Sequence, residues 1–307
     1  MIYHGNVFDK LQEIDTESVQ CVVTSPPYWG LRNYQMDDQL GLEDTPEAFI
    51  DNMVKVFSEI KRVLKNDGTV WLNLGDSYNS QTGSGFNTNK NEGQNHRIKE
   101  LQKTQGSLVK KISLKQKNLV GIPWRVALAL QADGWYLRQD IIWHKPNPMP
   151  ESVTDRCTKS HDYIFLLSKS AKYFYDADAI REPAQDWGTR DRSQLRSGTQ
   201  DELLKHRGLK DANFAQIGKN RRSVWTINTQ SYKEAHFAVF PPKLPELCIK
   251  AGSSEGDVVL DPFFGSGTTG WVAQRLGRKW IGIELNPEYI EIAKQRFNQQ
   301  ELFIECQ

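Results

Sequence analysis

The sequence predicts an α/β fold built on a mostly parallel sheet with helices on both faces. Three observations carry that expectation. A strand, a helix-periodic segment and a second strand follow one another between Val19 and Leu74. The alternation returns between Val258 and Phe297, this time with a glycine-rich turn between strand and helix. The chain has 307 residues, 38% hydrophobic and 25% charged, which is enough to bury a full core.

The first strand is the apolar run Val19–Val23, and it ends in TSPPYWGLRNY, Thr24 to Tyr34. A helix follows in TPEAFIDNMVKVFSEIKRVL, where Phe49, Ile50, Met53, Val54, Phe57, Ile60, Val63 and Leu64 recur at helical spacing. Thr45 is the expected N-cap, Pro46 the first helical residue and Asn66-Asp67-Gly68 the stop. The next strand is Thr69–Leu74. Polar residues 77–118 then break the rhythm, and residues 79–118 are expected to form a flexible basic loop. A helix is expected over Pro123–Ala132, stopped at Gly134, with strands at Tyr136–Trp143, Tyr163–Leu167 and Lys172–Tyr175. A second polar interval, residues 181–222, reads as a small inserted module. The chain closes with a helix over Leu244–Lys250, strand Val258–Leu260, the turn DPFFGSGTTG, helix Thr268–Leu276, strand Trp280–Ile283, and a helix begun by Asn286-Pro287. Tyr289, Ile290, Ile292, Ala293 and Phe297 carry that last helix, and no internal repeat is present.

The start MIYHGNVFDKLQEID has no basic segment followed by an apolar one, and no window approaches the ~20 apolar residues that span a bilayer. A cytoplasmic location is therefore expected. Cys21, Cys157, Cys248 and Cys306 lie far apart and suggest neither a zinc site nor a disulfide framework, but reduced and mostly buried thiols. The net charge of +1 hides an uneven distribution. Residues 80–120 hold eight Lys/Arg against two Glu, and residues 186–222 hold nine Lys/Arg against five Asp/Glu, which leaves the remainder acidic. Two basic, Gly/Ser/Asn/Gln-rich intervals in such a chain suit arms that hold a polyanion, though each alone is equally well a solvated face.

DPFFGSGTTG stands where a cofactor loop belongs. Gly265 and Gly267 allow a sharp turn and a close approach to a ligand with which a Cβ would collide. Nineteen residues after Gly265, at the end of the next strand, Glu284 can accept hydrogen bonds from both hydroxyls of a ribose. Read literally, Gly265, Gly267 and Gly270 also satisfy the dinucleotide fingerprint of a nicotinamide dehydrogenase. Only about forty residues follow the motif, too few for a second mononucleotide half, and Asp261-Pro262-Phe263-Phe264 precedes it. A cofactor carrying a sulfonium and an ammonium but no phosphate, as S-adenosylmethionine does, suits the acidic strand ends.

Thr24 to Tyr34 finds its use beside that loop. Pro26 and Pro27 fix φ and hold the carbonyls of the turn rigid. With Ser25 Oγ they can grip both hydrogens of an exocyclic amino group and draw its nitrogen out of conjugation. Tyr28 offers a face for a base, an interaction worth roughly 1 to 3 kcal/mol. A base held this way must leave its duplex. The amino nitrogen is the nucleophile, so neither a covalent enzyme intermediate nor a metal is required.

On these residues the chain resembles the amino-methylating DNA methyltransferases of the group whose catalytic motif precedes the cofactor motif. TSPPYWG is similar to the catalytic motif and DPFFGSGTT to the S-adenosylmethionine loop, in that circularly permuted order; EIKRVLKNDGTVWLNLGDSY and IIWHKPNPMP resemble segments flanking the catalytic pocket. The resemblance implies a Rossmann-like, S-adenosylmethionine-dependent methyltransferase fold: a catalytic domain over residues 1–180 and 228–307, with a target-recognition insert at 181–227. It implies Ser25, Pro26, Pro27 and Tyr28 as catalytic residues, and Asp261, Phe263, Phe264, Gly265, Ser266, Gly267, Thr268, Glu284, Leu285 and Asn286 around the cofactor. HGNVFDKL is similar to the segment beside the cofactor adenine, with Gly5-Asn6 where the family usually has Gly-Asp, which puts a carboxylate role there in doubt. Double-stranded DNA is the implied substrate, with a homodimer and a restriction endonuclease of matching specificity as expected partners. Ser before Pro-Pro is commoner among cytosine-N4 methylases than among adenine-N6 methylases, where Asp or Asn is commoner. Related motifs also serve RNA and protein methylases, usually with the cofactor loop first. Trp29, Trp143 and Trp187 are candidates for either the DNA cleft or packing, and His144 for a structural hydrogen bond.

Overall fold

The computed structural model describes residues 1–31, 33–79, 114–183, 218–230 and 240–304, with side chains to residue 298. The chain divides into two compact units, Met1–Tyr175 with Ser223–Gln307, and Asp176–Arg222.

The larger unit holds an eight-stranded sheet: β1 (Ile2–His4), β2 (Val19–Thr24), β3 (Leu64–Leu74), β4 (Tyr136–His144), β5 (His161–Ser168), β6 (Val224–Thr226), β7 (Val258–Asp261) and β8 (Lys279–Glu284). Its spatial order is β1-β8-β7-β2-β3-β5-β4-β6. Every neighbouring pair is parallel except those made by β5, which runs against both β3 and β4. The carboxyl ends of β2, β3, β4, β7 and β8 therefore share one edge of the sheet with the amino end of β5.

Helices α1 (Val7–Gln12), α2 (Pro46–Val63) and α3 (Ile122–Ala132) pack on one another on one face, while α4 (Lys243–Gly252), α5 (Thr268–Arg275) and α6 (Pro287–Ile304) form a second group. The sequence shows why α2 forms where it does. Thr45 Oγ1 accepts the Ala48 N–H at 3.1 Å, Pro46 opens the first turn, and Phe49, Met53, Val56, Phe57, Ile60 and Val63 bury one stripe. That stripe meets Val22, Val70, Leu72 and Leu74 of β2 and β3 in the main core. All six residues of β2 are buried, as a central strand covered on both faces requires.

Four details differ from the sequence reading. Asn66-Asp67-Gly68 does not separate α2 from β3; helix passes directly into strand at Leu64, which already pairs with Val19. Gly68 makes this feasible, because a Cβ there would stand 2.6 Å from Leu64 Cγ and 3.0 Å from the Gln20 carbonyl. Lys172–Tyr175 is not a strand; the Phe174 N–H bonds the Asp67 carbonyl at 2.8 Å without a ladder, and Tyr175 stacks on Trp71. The expected insert 181–227 ends too late, since Val224–Thr226 pairs with β4 as part of the main sheet. Strand β1 and helix α1 were not anticipated, being three and six residues long.

Both polar intervals fall mainly outside the described residues, at 80–113 and 184–217, as do Trp187 and Cys306. Their described ends are fastened. Asn79 and Asn118 share a backbone bond, Tyr78 bridges to Leu119, and buried Asn79 donates to the Leu114 carbonyl at 2.7 Å. The Asp76 carboxylate accepts the Ser77, Gly121 and Ile122 N–H groups, so one side chain holds both ends of the first interval and caps α3. In the smaller unit the backbones of Glu182 and Lys219 pair in both directions, and Arg222 Nε meets the Glu182 carboxylate at 3.0 Å. No helix among the described residues is long and apolar enough to cross a membrane.

Candidate active site

TSPPY leaves the end of β2 and DPFFGSG leaves the end of β7, and these two strands are parallel neighbours with Cys21 opposite Val259 and Val22 opposite Leu260. Two stretches 237 residues apart thus emerge side by side. Asp261 ties them together. Its carboxylate is 2% exposed and accepts Thr24 Oγ1 at 2.7 Å, Thr269 Oγ1 at 2.7 Å and the Phe263 N–H at 3.1 Å. Thr269 Oγ1 also lies 3.3 Å from the Val23 carbonyl. Burial pushes the Asp261 carboxyl up to about 7, against the pull of these donors. Asp261, expected among the cofactor contacts, makes these three bonds within the protein and so brackets the two turns.

Beyond the bracket the turn opens. A Cβ on Gly265, at φ +51°, would meet nothing within 4 Å, so this glycine faces free space. Gly267 differs from the expectation: its Cβ would point at Ala293, Phe264 and Phe297 at 3.0–3.3 Å, and its φ of +78° serves to start α5. Phe264 is buried and stacks on Trp280, which stacks in turn on Phe297, while Phe263 is only partly buried beside it. Ser266 Oγ is buried and has no hydrogen-bond partner among the described residues. Thr268 Oγ1 takes Arg296 Nη1 at 2.6 Å.

Glu284 ends β8. One carboxylate oxygen takes the Gly265 N–H at 2.7 Å, the other the Asn286 N–H at 2.8 Å, and burial raises its pKa. The glycine turn is thereby pinned to the neighbouring strand. Asn286 also accepts the Glu288 N–H through its side chain, and Leu285 between them is partly buried. A cavity of about 200 Å³ lies alongside, lined by Asn33, Tyr34, Gln35, Asn286, Glu288, Tyr289 and Ile292. Asn6, on the loop after β1, accepts the Phe8 N–H at 2.9 Å and caps α1, a task its amide performs without a carboxylate. An open glycine, an orphaned hydroxyl and a carboxylate held at the strand end are a donor and acceptor set that fits S-adenosylmethionine.

Around Ser25 the structure adds residues that the sequence reading missed. Ser25 Oγ lies 3.4 Å from Asn73 Oδ1, and the Tyr28 hydroxyl lies 3.2 Å from the same oxygen and 3.3 Å from Asp162 Oδ2. Asn73 Nδ2 donates to the Tyr163 carbonyl at 3.0 Å, which fixes the orientation of its amide. Asp162 pairs with Lys145, whose ammonium stands over the Trp143 ring at 4.4 Å. Burial, then the Asp162 charge, holds the Tyr28 hydroxyl well above its usual pKa. Gly75 lets the Tyr28 ring lie against the chain, because a Cβ there would stand 2.4 Å from Cε2. A polar residue inside the apolar strand VWLNL was the available signal for Asn73; Asp162 and Lys145 carried none.

Trp29 and Trp143 are packing residues: both are buried, and their indole N–H groups bond the carbonyls of Glu43 and Ile227. His144 pairs with Thr226 Oγ1 at 3.2 Å, a structural bond between β4 and β6. Cys21 and Cys248 are buried, whereas Cys157 is exposed.

With this geometry in view, comparison with known proteins is decisive. The profile described as DNA methylase matches residues 19–295. The chain belongs to the DNA methylase family. This DNA methylase is 46% identical over 299 residues to the type II methyltransferase M.XycI of Xanthomonas campestris pv. cyanopsidis, covering 97% of this chain and 88% of that one. It is 48% identical over 292 residues to M.SmaI of Serratia marcescens, covering 95% and 88%. Among solved structures, the cytosine-N4-specific PvuII DNA methyltransferase shares the fold at TM-score 0.62 and 23% identity, over 96% of this chain and 85% of that one. A putative DNA modification methylase of Thermus thermophilus, complexed with S-adenosyl-L-methionine, aligns at TM-score 0.58 and 27% identity, over 97% and 94%.

Proposed function

We propose that this methylase transfers a methyl group from S-adenosylmethionine to the N4 amino group of a cytosine flipped out of duplex DNA at a specific sequence. The observation that carries the reading is the shared strand edge: Ser25 and Gly265 follow parallel neighbours β2 and β7, bracketed by the Thr24–Asp261–Thr269 bonds. When bound, the cofactor supplies an electrophilic methyl on sulfur. Gly265 admits it, Ser266 Oγ meets its polar end, and Glu284 accepts from its ribose.

The chain's own residues then prepare the nucleophile. Ser25 donates its hydrogen to Asn73 Oδ1, because that oxygen is an acceptor only. The Ser25 lone pairs are left for the substrate, so the hydroxyl receives an amino hydrogen rather than competing for the nitrogen lone pair. The rigid carbonyls of Pro26 and Pro27 serve the second hydrogen, and Tyr28 stacks on the base. Serine ahead of Pro-Pro favours cytosine N4 over adenine N6. Relatives 46% and 48% identical that are type II methyltransferases support a sequence-specific target. The same relationship points to an endonuclease of equal specificity as a genetic partner. The basic interval after residue 181 is the segment we assign to target recognition.

Methylating DNA with the purified protein, digesting it to nucleosides and analysing them by mass spectrometry tests this. N4-methylcytosine is expected, and single-molecule sequencing of the same DNA should place it in one sequence context. N6-methyladenine alone would reassign the base. The absence of any methylated nucleoside from a protein that binds S-adenosylhomocysteine would reject DNA as substrate.

A further inference from the structure

Asp162 and Lys145 lie behind the proposed base pocket, and the proposed contacts to base and cofactor use neither of them. They enter β5 and leave β4, at the sheet edge that carries Tyr28. Asp162 is 6% exposed, and one of its oxygens receives both the Lys145 ammonium and the Tyr28 hydroxyl. The Tyr28 hydroxyl has two acceptors within reach, Asn73 Oδ1 at 3.2 Å and Asp162 Oδ2 at 3.3 Å. A carboxylate is the stronger acceptor of the two, since charge-assisted hydrogen bonds are about twice as strong as neutral ones. Ser25 reaches Asn73 Oδ1 at 3.4 Å, as the more distant of the two hydroxyls from that oxygen, and it also lies within hydrogen-bonding reach of the Tyr28 hydroxyl. If Tyr28 gives its hydrogen to Asn73, Ser25 shares the amide oxygen with a closer rival and its own hydrogen is freed to turn toward the substrate.

From this geometry we infer that Asp162 is a positioning residue that sets the hydrogen-bond direction of the catalytic serine: it draws the Tyr28 hydrogen to itself and reserves Asn73 Oδ1 for Ser25. Lys145 pairs with the Asp162 carboxylate and stands over the Trp143 ring, which holds the carboxylate in place beside Tyr28. The inference rests on the proposed role of Ser25 as an acceptor of the amino hydrogen.

The test is a rescue. Asp162→Asn removes the charge and lets Tyr28 turn to Asn73; kcat should fall about 10- to 100-fold while the S-adenosylhomocysteine Kd stays within about twofold. Tyr28→Phe keeps the ring and removes the rival hydroxyl, and should slow turnover less than Asp162→Asn does. The double variant should then be faster than Asp162→Asn alone, by about fivefold or more, an interaction opposite in sign to two independent losses. A double variant as slow as the product of the two single losses, or an Asp162→Asn protein as fast as the natural one, overturns the inference. Should Asp162→Asn lose cofactor binding because Lys145 is left unpaired, the same comparison in a Lys145→Met, Asp162→Asn background, with and without Tyr28→Phe, decides by the same criterion. A natural protein that methylates no DNA would instead refute the proposed function, which separates the two failures.

Discussion

At the scale of single residues, the two glycines of the cofactor turn separate what the motif joins. Gly265 faces free space, whereas a Cβ on Gly267 would press on Ala293, Phe264 and Phe297. Gly265→Val should therefore weaken S-adenosylhomocysteine binding at least about 100-fold, with its positive φ of +51° as the main cost to folding. Gly267→Val should destabilise the protein more, because to the strain of about 1–2 kcal/mol that both positive φ values impose it adds contacts of 3.0–3.3 Å with Ala293, Phe264 and Phe297. Calorimetry and thermal unfolding on both variants check this; equal melting points with equal loss of affinity would contradict it. Ser25→Ala removes one acceptor and should slow turnover about 10- to 100-fold with cofactor affinity kept. Unchanged turnover in that variant would remove Ser25 from the mechanism. These residues were legible in the sequence because each is contiguous with its motif. Asn73 and Asp162 were not, because they stand 48 residues from Ser25 and 134 residues from Tyr28 and reach them only once the sheet has formed.

At the scale of elements, the bracket between β2, β7 and α5 is the joint that aligns catalytic turn and cofactor turn. Asn in place of Asp261 can keep it, with its oxygen facing Thr24 and the Phe263 N–H and its amide nitrogen donating to Thr269, whose own hydrogen then turns to the Val23 carbonyl. Asp261→Ala cannot, and should lower both cofactor affinity and turnover. The carboxyl also predicts a pH effect. Its folded pKa of about 7 stands above the ordinary 3.8, so the folded state is the better proton binder. Its contribution to stability is fully present below the unfolded pKa and is lost as pH rises through about 7. Asp261→Asn should thus gain stability relative to the natural protein as pH goes from 5 to 9, by on the order of 3 kcal/mol. Thermal midpoints of the pair across that range measure it, and a constant difference would show that the carboxyl does not titrate there. Long elements such as α2 were readable from Thr45, Pro46 and an unbroken apolar stripe. The failures are short or local: β1 and β6 have three residues each, too few for a periodic pattern, and Lys172–Tyr175 has strand-like residues but bonds Asp67 through Phe174 without a ladder.

At the scale of the whole molecule, the sheet order β1-β8-β7-β2 interleaves the two ends of the chain. Each end carries its own motif, but nothing local in sequence states that residues 258–284 slot between residues 2–4 and 19–24. Charge is the other property of the whole chain. The basic intervals carry net +6 and +4 while the remaining residues sum to −9, so the positive charge available to DNA is concentrated in two segments. Each phosphate neutralised releases counterions, and the logarithm of affinity falls with the logarithm of salt by about 0.9 per contact. Binding to the methylated sequence should therefore show a slope steeper than about −4. Replacing Lys99, Lys103, Lys110 and Lys111 with Gln should flatten that slope and weaken binding to all sequences alike, as loss of phosphate contacts does. Replacing Arg190, Arg192, Arg196 and Arg207 one at a time should instead relax the choice of sequence at a single base pair for any arginine that reads a guanine edge. Fluorescence anisotropy at several salt concentrations, on the methylated sequence and on a scrambled one, distinguishes the two kinds of change. A slope unaltered by the four lysine replacements would place the phosphate contacts elsewhere in the chain.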